Sequence, residues 1–351
     1  PMESVLVVGA GPTGLIMALG LARRGVPVHI IDTKDGPARE SRAMGLHART
    51  LEFYRQFGFG DDVVGRGVVA DTIQFRASAE DVARFSLADM GAGLSPYPFM
   101  LAFPQDEHER YLLDRLAELG VQVQLGATLE DLVDRGYSVE ALMAADESSG
   151  RCTYAYVVGC DGAHSRVRDI LGIGFPGASS EQLFYVADAM VKGAGSGEIY
   201  LGFRDAGLAL MVPVRSTGMH RLIGLVPPEV LAKDDLGFED LRDHIEILLG
   251  IDVEEVNWFS TYRVHHRVAE HFGWGRVFIA GDAGHLHSPA GGQGMNTGIG
   301  DAVNLSWKIA EVAHRRADPA LLDTYEQERI PFAKSLIATT DRVFQFLVDD
   351  G

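Results

Sequence analysis

A chain of 351 residues, 46% hydrophobic and carrying a formal net charge of −18, is long enough to bury one large or two medium cores and too apolar to stay disordered. The acidity argues against nucleic acid and anionic membrane surfaces as partners, and no apolar run reaches the roughly 18 residues that cross a bilayer. With only Cys152 and Cys160, and no basic leader ahead of Ser4, a disulfide framework or zinc site is not expected and a reducing cytoplasm is.

In chain order, the apolar run over residues 4–8 predicts a strand buried on both faces of a parallel sheet. A glycine-rich turn follows, then helical apolar spacing from Leu15 to Arg24, stopped by Gly25. Val26–Ile31 reads as a second buried strand ending at Asp32, which completes one βαβ unit. Residues 33–100 are less regular, with a helix over Ala48–Phe57. Asp106–Leu119 places Tyr111, Leu112, Leu116 and Leu119 on one helical face, with Gly120 as its stop. Val121–Leu125 and Thr153–Val158 read as strands, the second entering Gly159-Cys160-Asp161-Gly162.

From about residue 181 to 264 the character changes. Short β-rich segments (Phe184–Val191, Ile199–Phe203, Leu208–Val212, Leu222–Val226, Trp258–Val264) alternate with turn residues, interrupted by a helix that carries Phe238, Leu241, Ile245 and Leu248. This predicts an antiparallel sheet domain inserted into the dinucleotide-binding one. Arg276–Ala280 returns to a buried strand, Met295–Arg315 forms a long helix, and Gln327–Leu347 a last helical stretch broken at Pro331. The fold class is therefore α/β (α+β), a Rossmann-like βαβ domain with an inserted antiparallel sheet. Residues 1–75, 101–180 and 265–315 are assigned to the first domain, 76–100 and 181–264 to the second, and 316–351 to a terminal helical segment.

Chemistry enters with Gly9-Ala10-Gly11-Pro12-Thr13-Gly14 and Asp32. Gly9 permits the tight turn, Gly11 lets a pyrophosphate reach the backbone, and Gly14 lets helix and strand pack closely. The helix N-terminus supplies unpaired N–H groups for phosphate, and Asp32 is placed for a ribose diol. This turn does not separate FAD from NAD. Two further constellations follow: Asp161-Gly162-Ala163-His164-Ser165-Arg166-Val167-Arg168, and Gly281-Asp282 continuing through His285, Pro289 and Gly291-Gly292-Gln293-Gly294-Met295-Asn296.

Taken together and in this order, the three resemble the GxGxxG, DGxxSxxR and GDAxHxxxPxxGxGxN segments of the flavin-dependent aromatic hydroxylases, which include 4-hydroxybenzoate hydroxylase and the polyketide hydroxylases. The stretch Leu322–Arg329 is similar to that family's as well. The resemblance implies FAD as cofactor, contacted by Gly9, Gly11, Pro12, Thr13, Gly14, Asp32, Arg42, Gln105, Asp161, Gly281, Asp282, Pro289, Gly292, Gly294, Met295 and Asn296. Asp282 would accept from a ribityl hydroxyl, although it could instead cap a local turn. The N–H groups of the 291–294 loop would face the flavin pyrimidine, with Pro289 and Gly292 beside the reactive carbon. Arg42 also reads as an ordinary surface arginine, and His164, His265, His266, His285 and His287 as structural or solvated.

The implied reaction is hydroxylation of a phenolic ring with NADPH or NADH and O2, through a flavin C4a-hydroperoxide. The catalytic acid or base is not named by the sequence, and a monomer or homodimer fits equally. A flavin halogenase is excluded: no lysine lies between Lys34 and Lys192, and Trp258, Trp274 and Trp307 are isolated. The alternatives are an FAD oxidoreductase acting on a natural-product intermediate without oxygen insertion, and a protein that stores or senses flavin. Polyketide hydroxylases often carry a further thioredoxin-like domain, which does not follow here before Gly351, so their large polycyclic substrates transfer less readily. By resemblance, strands at 199–213 line the substrate cavity, with Leu201, Phe203, Leu210 and Val212 or their neighbours inward, although a plain sheet core gives the same pattern. That favours a neutral, mostly apolar aromatic ligand, while Arg204, Arg215 and Arg221 keep a carboxylate in play.

Overall fold

The computed structural model describes residues 3–37, 45–77, 80–146, 148–205, 207–215, 217–288 and 292–349, with side chains as far as Arg342. The chain divides into two compact units, one of residues 1–41, 105–178 and 265–338, the other of 42–104, 179–264 and 339–351. Residues 42–75 thus fall in the second unit and 316–338 in the first, unlike the division expected from sequence.

The first unit is built on a six-stranded sheet in the order Gly273–Trp274, Val277–Ile279, Tyr156–Gly159, Val5–Val8, Val28–Asp32 and Val123–Leu125. Every pairing is parallel except that of the outermost Gly273–Trp274. Parallel strands covered on both faces need apolar side chains on both, and Val5, Leu6, Val7, Val157, Val158, Val277 and Ile279 are fully buried. Helices Pro12–Ala22 and Gln293–Ala313 pack together where Gly20 meets Ser306, and a Cβ at Gly20 would stand only 2.3 Å from the Ser306 Oγ.

A three-stranded antiparallel meander, Ala127–Asp134, Val139–Ala145 and Ser148–Tyr154, also belongs to this unit. The strand expected over Thr153–Val158 is in fact two, divided at Ala155 between the meander and the core strand. Ser148–Tyr154 is exposed over all but its last residue, so it carries no apolar periodicity to read. The last helix also departs from expectation. Asp323–Asp349 runs through Pro331 without a break. Proline removes one N–H and frees the carbonyl four residues earlier, but Gln327 and Pro331 both lie on the exposed side of the helix, where a freed carbonyl costs little.

The second unit centres on a sheet in which Asp252–Val268, Gly177–Lys192, Met219–Leu225, Gly207–Pro213, Glu198–Arg204, Thr72–Ala77 and Glu80–Ser86 succeed one another. The expected all-antiparallel sheet is mixed, because Glu198–Arg204 pairs in parallel with Thr72–Ala77. A small antiparallel sheet joins Gly45–Leu46, Met100–Ala102 and Val68–Ala70.

Alternation along these strands gives the large sheet two unlike faces. Tyr185, Ala187, Ala189, Tyr200, Ala209, Met211 and Leu222 are buried on one, against Phe238, Leu241, Ile245 and Leu248. Phe238 stands on a 3-10 turn, Phe238–Asp240, and Ile245 and Leu248 on the helix Arg242–Leu249. Since Ile245 has no exposed surface, Ile245→Ala should lower the unfolding free energy by about 2–5 kcal/mol, read from the midpoint of a denaturant melt.

Candidate functional site

The first glycine turn shows three different demands. Gly9 has φ +102°, and a Cβ there would lie 2.1 Å from the Cys160 carbonyl oxygen. A Cβ at Gly14 would lie 1.8 Å from the Gly9 carbonyl oxygen, whereas one at Gly11 meets nothing within 4 Å. Gly9 and Gly14 are therefore glycine because the fold closes on them, and Gly11 leaves open backbone that a ligand can approach. Helix Pro12–Ala22 starts at this point with Pro12 in its first turn and no side-chain cap, so its first N–H groups are not spent on a capping side chain. Asp32 accepts from the Ala10 N–H at 2.6 Å and the Lys34 N–H at 2.9 Å, which holds its carboxylate beside the turn.

The DG segment is knitted by its own side chains. Asp161 accepts from the Ser165 hydroxyl at 2.6 Å and the Val167 N–H at 3.1 Å. Burial raises the Asp161 carboxyl above its ordinary range, and these bonds oppose the rise. Its carboxylate is thus occupied in starting helix Arg166–Leu171, a local role that the sequence did not separate from ligand contact. Arg168, buried and stacked 3.9 Å over the Phe175 ring, donates to the carbonyls of Ala163 and Ala283, each at 3.0 Å. One guanidinium therefore fastens the DG segment to the Gly281-Asp282-Ala283 turn.

That turn presents Asp282 with no hydrogen bond or ion pair among the described residues. Its side chain is open to solvent. The protein around it nonetheless raises its carboxyl, Asp301 adds to the rise and His285 opposes it, as for a group in a recess. Gly281 has φ +68°, and Thr13 Oγ1 would stand 2.8 Å from a Cβ at Gly281 and 2.4 Å from one at Gly298. Thr13 thus fills space that those two glycines leave.

Beyond the turn, Gly292 caps helix Gln293–Ala313 in the left-handed region at φ +63°, and a Cβ at Gly294 would meet nothing within 4 Å. In the first turn of that helix, Asn296 Nδ2 donates to the Gly292 carbonyl at 2.7 Å, and Met295 stands half-buried next to it. Gln105 opens helix Gln105–Glu118 and donates to Glu109 at 2.7 Å. Arg42 and Pro289 lie outside the described residues.

A buried network that sequence reasoning did not assemble stands behind this turn. Asp301, with no exposed surface, accepts from Arg329 Nε at 2.7 Å, the Gly281 N–H at 3.0 Å and His285 Nε2 at 2.5 Å. His285 Nδ1 lies 2.9 Å from His287 Nε2. Burial alone would raise the Asp301 carboxyl, but His285 and Arg329 hold it below the ordinary range. The available signal was an aspartate among Ile299, Ala302 and Leu305 on the core face of a helix, which must find donors.

In the second unit, Leu201, Phe203, Leu210 and Val212 share the sheet face opposite helix Arg242–Leu249. Register aligns Val186, Ile223, Leu210, Leu201 and Phe75 in one row across five strands, each half-buried. One row away, Arg221 makes a two-pronged bond to Asp188 at 2.7 and 2.8 Å. Arg204 pairs with Asp205 at 3.2 Å. Among the described residues no His/Cys/Asp/Glu group has metal-site geometry, and no helix is long and apolar enough to cross a membrane.

His108 and His287 carry a consequence for pH. Burial pushes both imidazoles down to about 3, helped at His287 by the charge at His285, against about 6.5 in an unfolded chain. Between those values the unfolded chain binds more protons, so this contribution is complete above pH 6.5 and is lost as pH falls. Each group should add a slope of up to about 1.4 kcal/mol per pH unit. Denaturant melts from pH 7 to 5 should show the loss in the wild type, with His108→Gln removing one share.

The FAD binding domain family matches residues 2–340 of the chain. The chain is 39% identical over 341 residues to 6-methylpretetramide 4-monooxygenase of Streptomyces rimosus, an alignment covering 96% of this chain and 60% of that protein. It is 32% identical to pentachlorophenol 4-monooxygenase of Sphingobium chlorophenolicum, covering 99% of this chain and 65% of that protein. Among solved structures, p-nitrophenol 4-monooxygenase from Pseudomonas putida DLL-E4 superposes with a TM-score of 0.88 at 26% identity, covering 99% of this chain and 89% of that one. The chain thus spans about two thirds or less of the length of these two curated relatives, and it belongs to the FAD binding domain family.

Proposed function

We propose that the protein is an FAD-dependent monooxygenase that hydroxylates a neutral, largely apolar phenolic ring, using NADPH or NADH and O2. The observation that carries this reading is a set of groups left unspent among the described residues: the open backbone at Gly11 and Gly294, the uncapped start of helix Pro12–Ala22, and the unbonded Asp282 carboxylate. They fit an FAD, with the pyrophosphate at Gly11, Pro12, Thr13 and Gly14, a ribose at Asp32, and a ribityl hydroxyl at Asp282. Relatives named as monooxygenases of phenols and polyketides supply the reaction class.

When bound, the flavin supplies hydride acceptance and O2 activation. The chain's own residues bind and orient. The first turn of helix Gln293–Ala313, with Gly292, Met295 and Asn296, would hold the ring system and would supply partial positive charge to stabilise negative charge on it. Gln105 and Arg42 complete the cofactor contacts in this reading. Asp161 and Arg168 hold the DG segment and the Asp282 turn in place.

The substrate assignment rests on the half-open sheet face. Leu201, Phe203 and Leu210 offer it apolar contact, whereas Val212 is buried in a core cluster with Ala70, Ile199 and Val214; of the three arginines that kept a carboxylate in play, Arg221 and Arg204 are paired with Asp188 and Asp205. A ligand carboxylate would find neither cation free. Cys152 and Cys160 are both unpaired thiols, which fits a reducing cytoplasm.

Asp282→Ala should weaken FAD binding by about one to two decades, the cost of a charge-assisted hydrogen bond, as read by flavin fluorescence titration. Unchanged affinity would remove Asp282 from the site. The reaction is tested with paired phenols, with and without a ring carboxylate. Nicotinamide oxidation matched by O2 uptake and a product one oxygen heavier is expected, with the uncharged member turned over faster. Oxidation with no oxygen in the product would instead identify an oxidoreductase, and preference for the carboxylate would overturn the neutral ligand.

A further inference from the structure

The ion pair between Asp188 and Arg221 is lopsided. Asp188 stands on Gly177–Lys192, an interior strand of the large sheet with Asp252–Val268 on one side and Met219–Leu225 on the other. Ala187 and Ala189 are sealed on the helix side, so the Asp188 side chain stands on the opposite face, the one that carries half-buried Val186 and Ile223. Arg221, directly across from it, donates through Nε to Oδ1 at 2.7 Å and through Nη2 to Oδ2 at 2.8 Å. The guanidinium side chain is 3% exposed and the aspartate side chain 14%. With a strand on either flank, what exposure Asp188 has opens on this face. A molecule lying there therefore meets negative oxygen, with the cation beneath it.

A carboxylate offers about four acceptor sites. Arg221 takes one on each oxygen, and among the described residues no other donor is bonded to either. The neighbouring row, Val186, Ile223, Leu210 and Leu201, is apolar. We propose that Asp188 is a binding and specificity residue: it accepts a hydrogen bond from a hydroxyl on an uncharged aromatic ligand lying along that row, and it turns carboxylates away. A ligand carboxylate would meet like charge first and bring no proton to share, with the guanidinium farther off. Arg221 acts through Asp188, fixing both oxygens in place. This rests on that face being the ligand face and not on the reaction carried out there.

The test is calorimetric titration of the oxidised FAD-loaded protein, without nicotinamide, with 4-methylphenol, 4-methylanisole and 4-hydroxybenzoate. The wild type should bind 4-methylphenol about tenfold more tightly than 4-methylanisole, which has no hydroxyl to donate. In Asp188→Asn the amide oxygen stays with Arg221 and the NH2 cannot accept. Most of the hydroxyl's advantage should vanish, and 4-hydroxybenzoate should gain about tenfold relative to 4-methylphenol. Affinity ratios unchanged by the substitution, or no binding of any of the three to the wild type, would overturn the proposal. If Asp188→Asn does not fold, Asp188→Ala combined with Arg221→Met, which leaves no unpaired charge in the sheet, should erase the same advantage, and its persistence would count equally against Asp188. No turnover enters these measurements. Absence of hydroxylation with the ratios shifted as expected would leave the role of Asp188 standing, and hydroxylation with unshifted ratios would remove that role alone.

Discussion

A carboxylate with no exposed surface has to be balanced where it stands, and Asp301 is balanced by donors from three separate stretches of the chain. Arg329 reaches it from the last helix, Gly281 from the end of a core strand, and His285 from the loop beyond. The helix, the turn and the loop are thereby held to one point, and removing any donor would leave a buried charge short of partners. The Asp282 turn inherits its placement from this arrangement. Arg168 adds the second fastening, through carbonyls and not charges, so the turn is held at two points by groups that need not touch a ligand themselves.

Close approach is the second constraint. Gly9, Gly14 and Cys160 bring strand, turn and helix within distances that no Cβ could enter, while Gly11 between them faces open space. The motif therefore contains two kinds of glycine under one spelling. Two of them make the turn and one leaves it accessible, which is why the spacing carries more information than the glycine count.

Much of the first unit was legible because parallel core strands are apolar without interruption. Residues 4–8 and 26–32 could be read almost to their ends, as could the helix carrying Leu112 and Leu116. The meander at 127–154 was not, since strands with an exposed face carry Glu130, Asp131 and Arg151 in no fixed period. Thr72–Ala77 was missed as a sheet strand because its antiparallel neighbour Glu80–Ser86 is exposed over most of its length and shows no apolar alternation, and its other partner, Glu198–Arg204, lies more than a hundred residues on. At the site, the three motifs located Asp161 and Asp282 but could not say that the first is committed to Ser165 and Val167 while the second has no partner among the described residues. Asp301 and Arg329 were hidden for a related reason: hydrogen-bond partners 28 residues apart on two helices have no sequence signature of their own.

The large sheet of the second unit sets alternate residues of one strand to different tasks. Tyr185, Ala187 and Ala189 lie sealed beneath a helix, and Val186 between them lies half-open beside Ile223. Inheritance along such a strand is interleaved: a residue answerable to the stability of the fold is followed by one answerable to whatever lies against the other face. Variation can then accumulate at every second position with the framework unchanged, so a lineage of such proteins could widen or narrow its range of ligands by steps of two along the chain without passing through an unfolded ancestor.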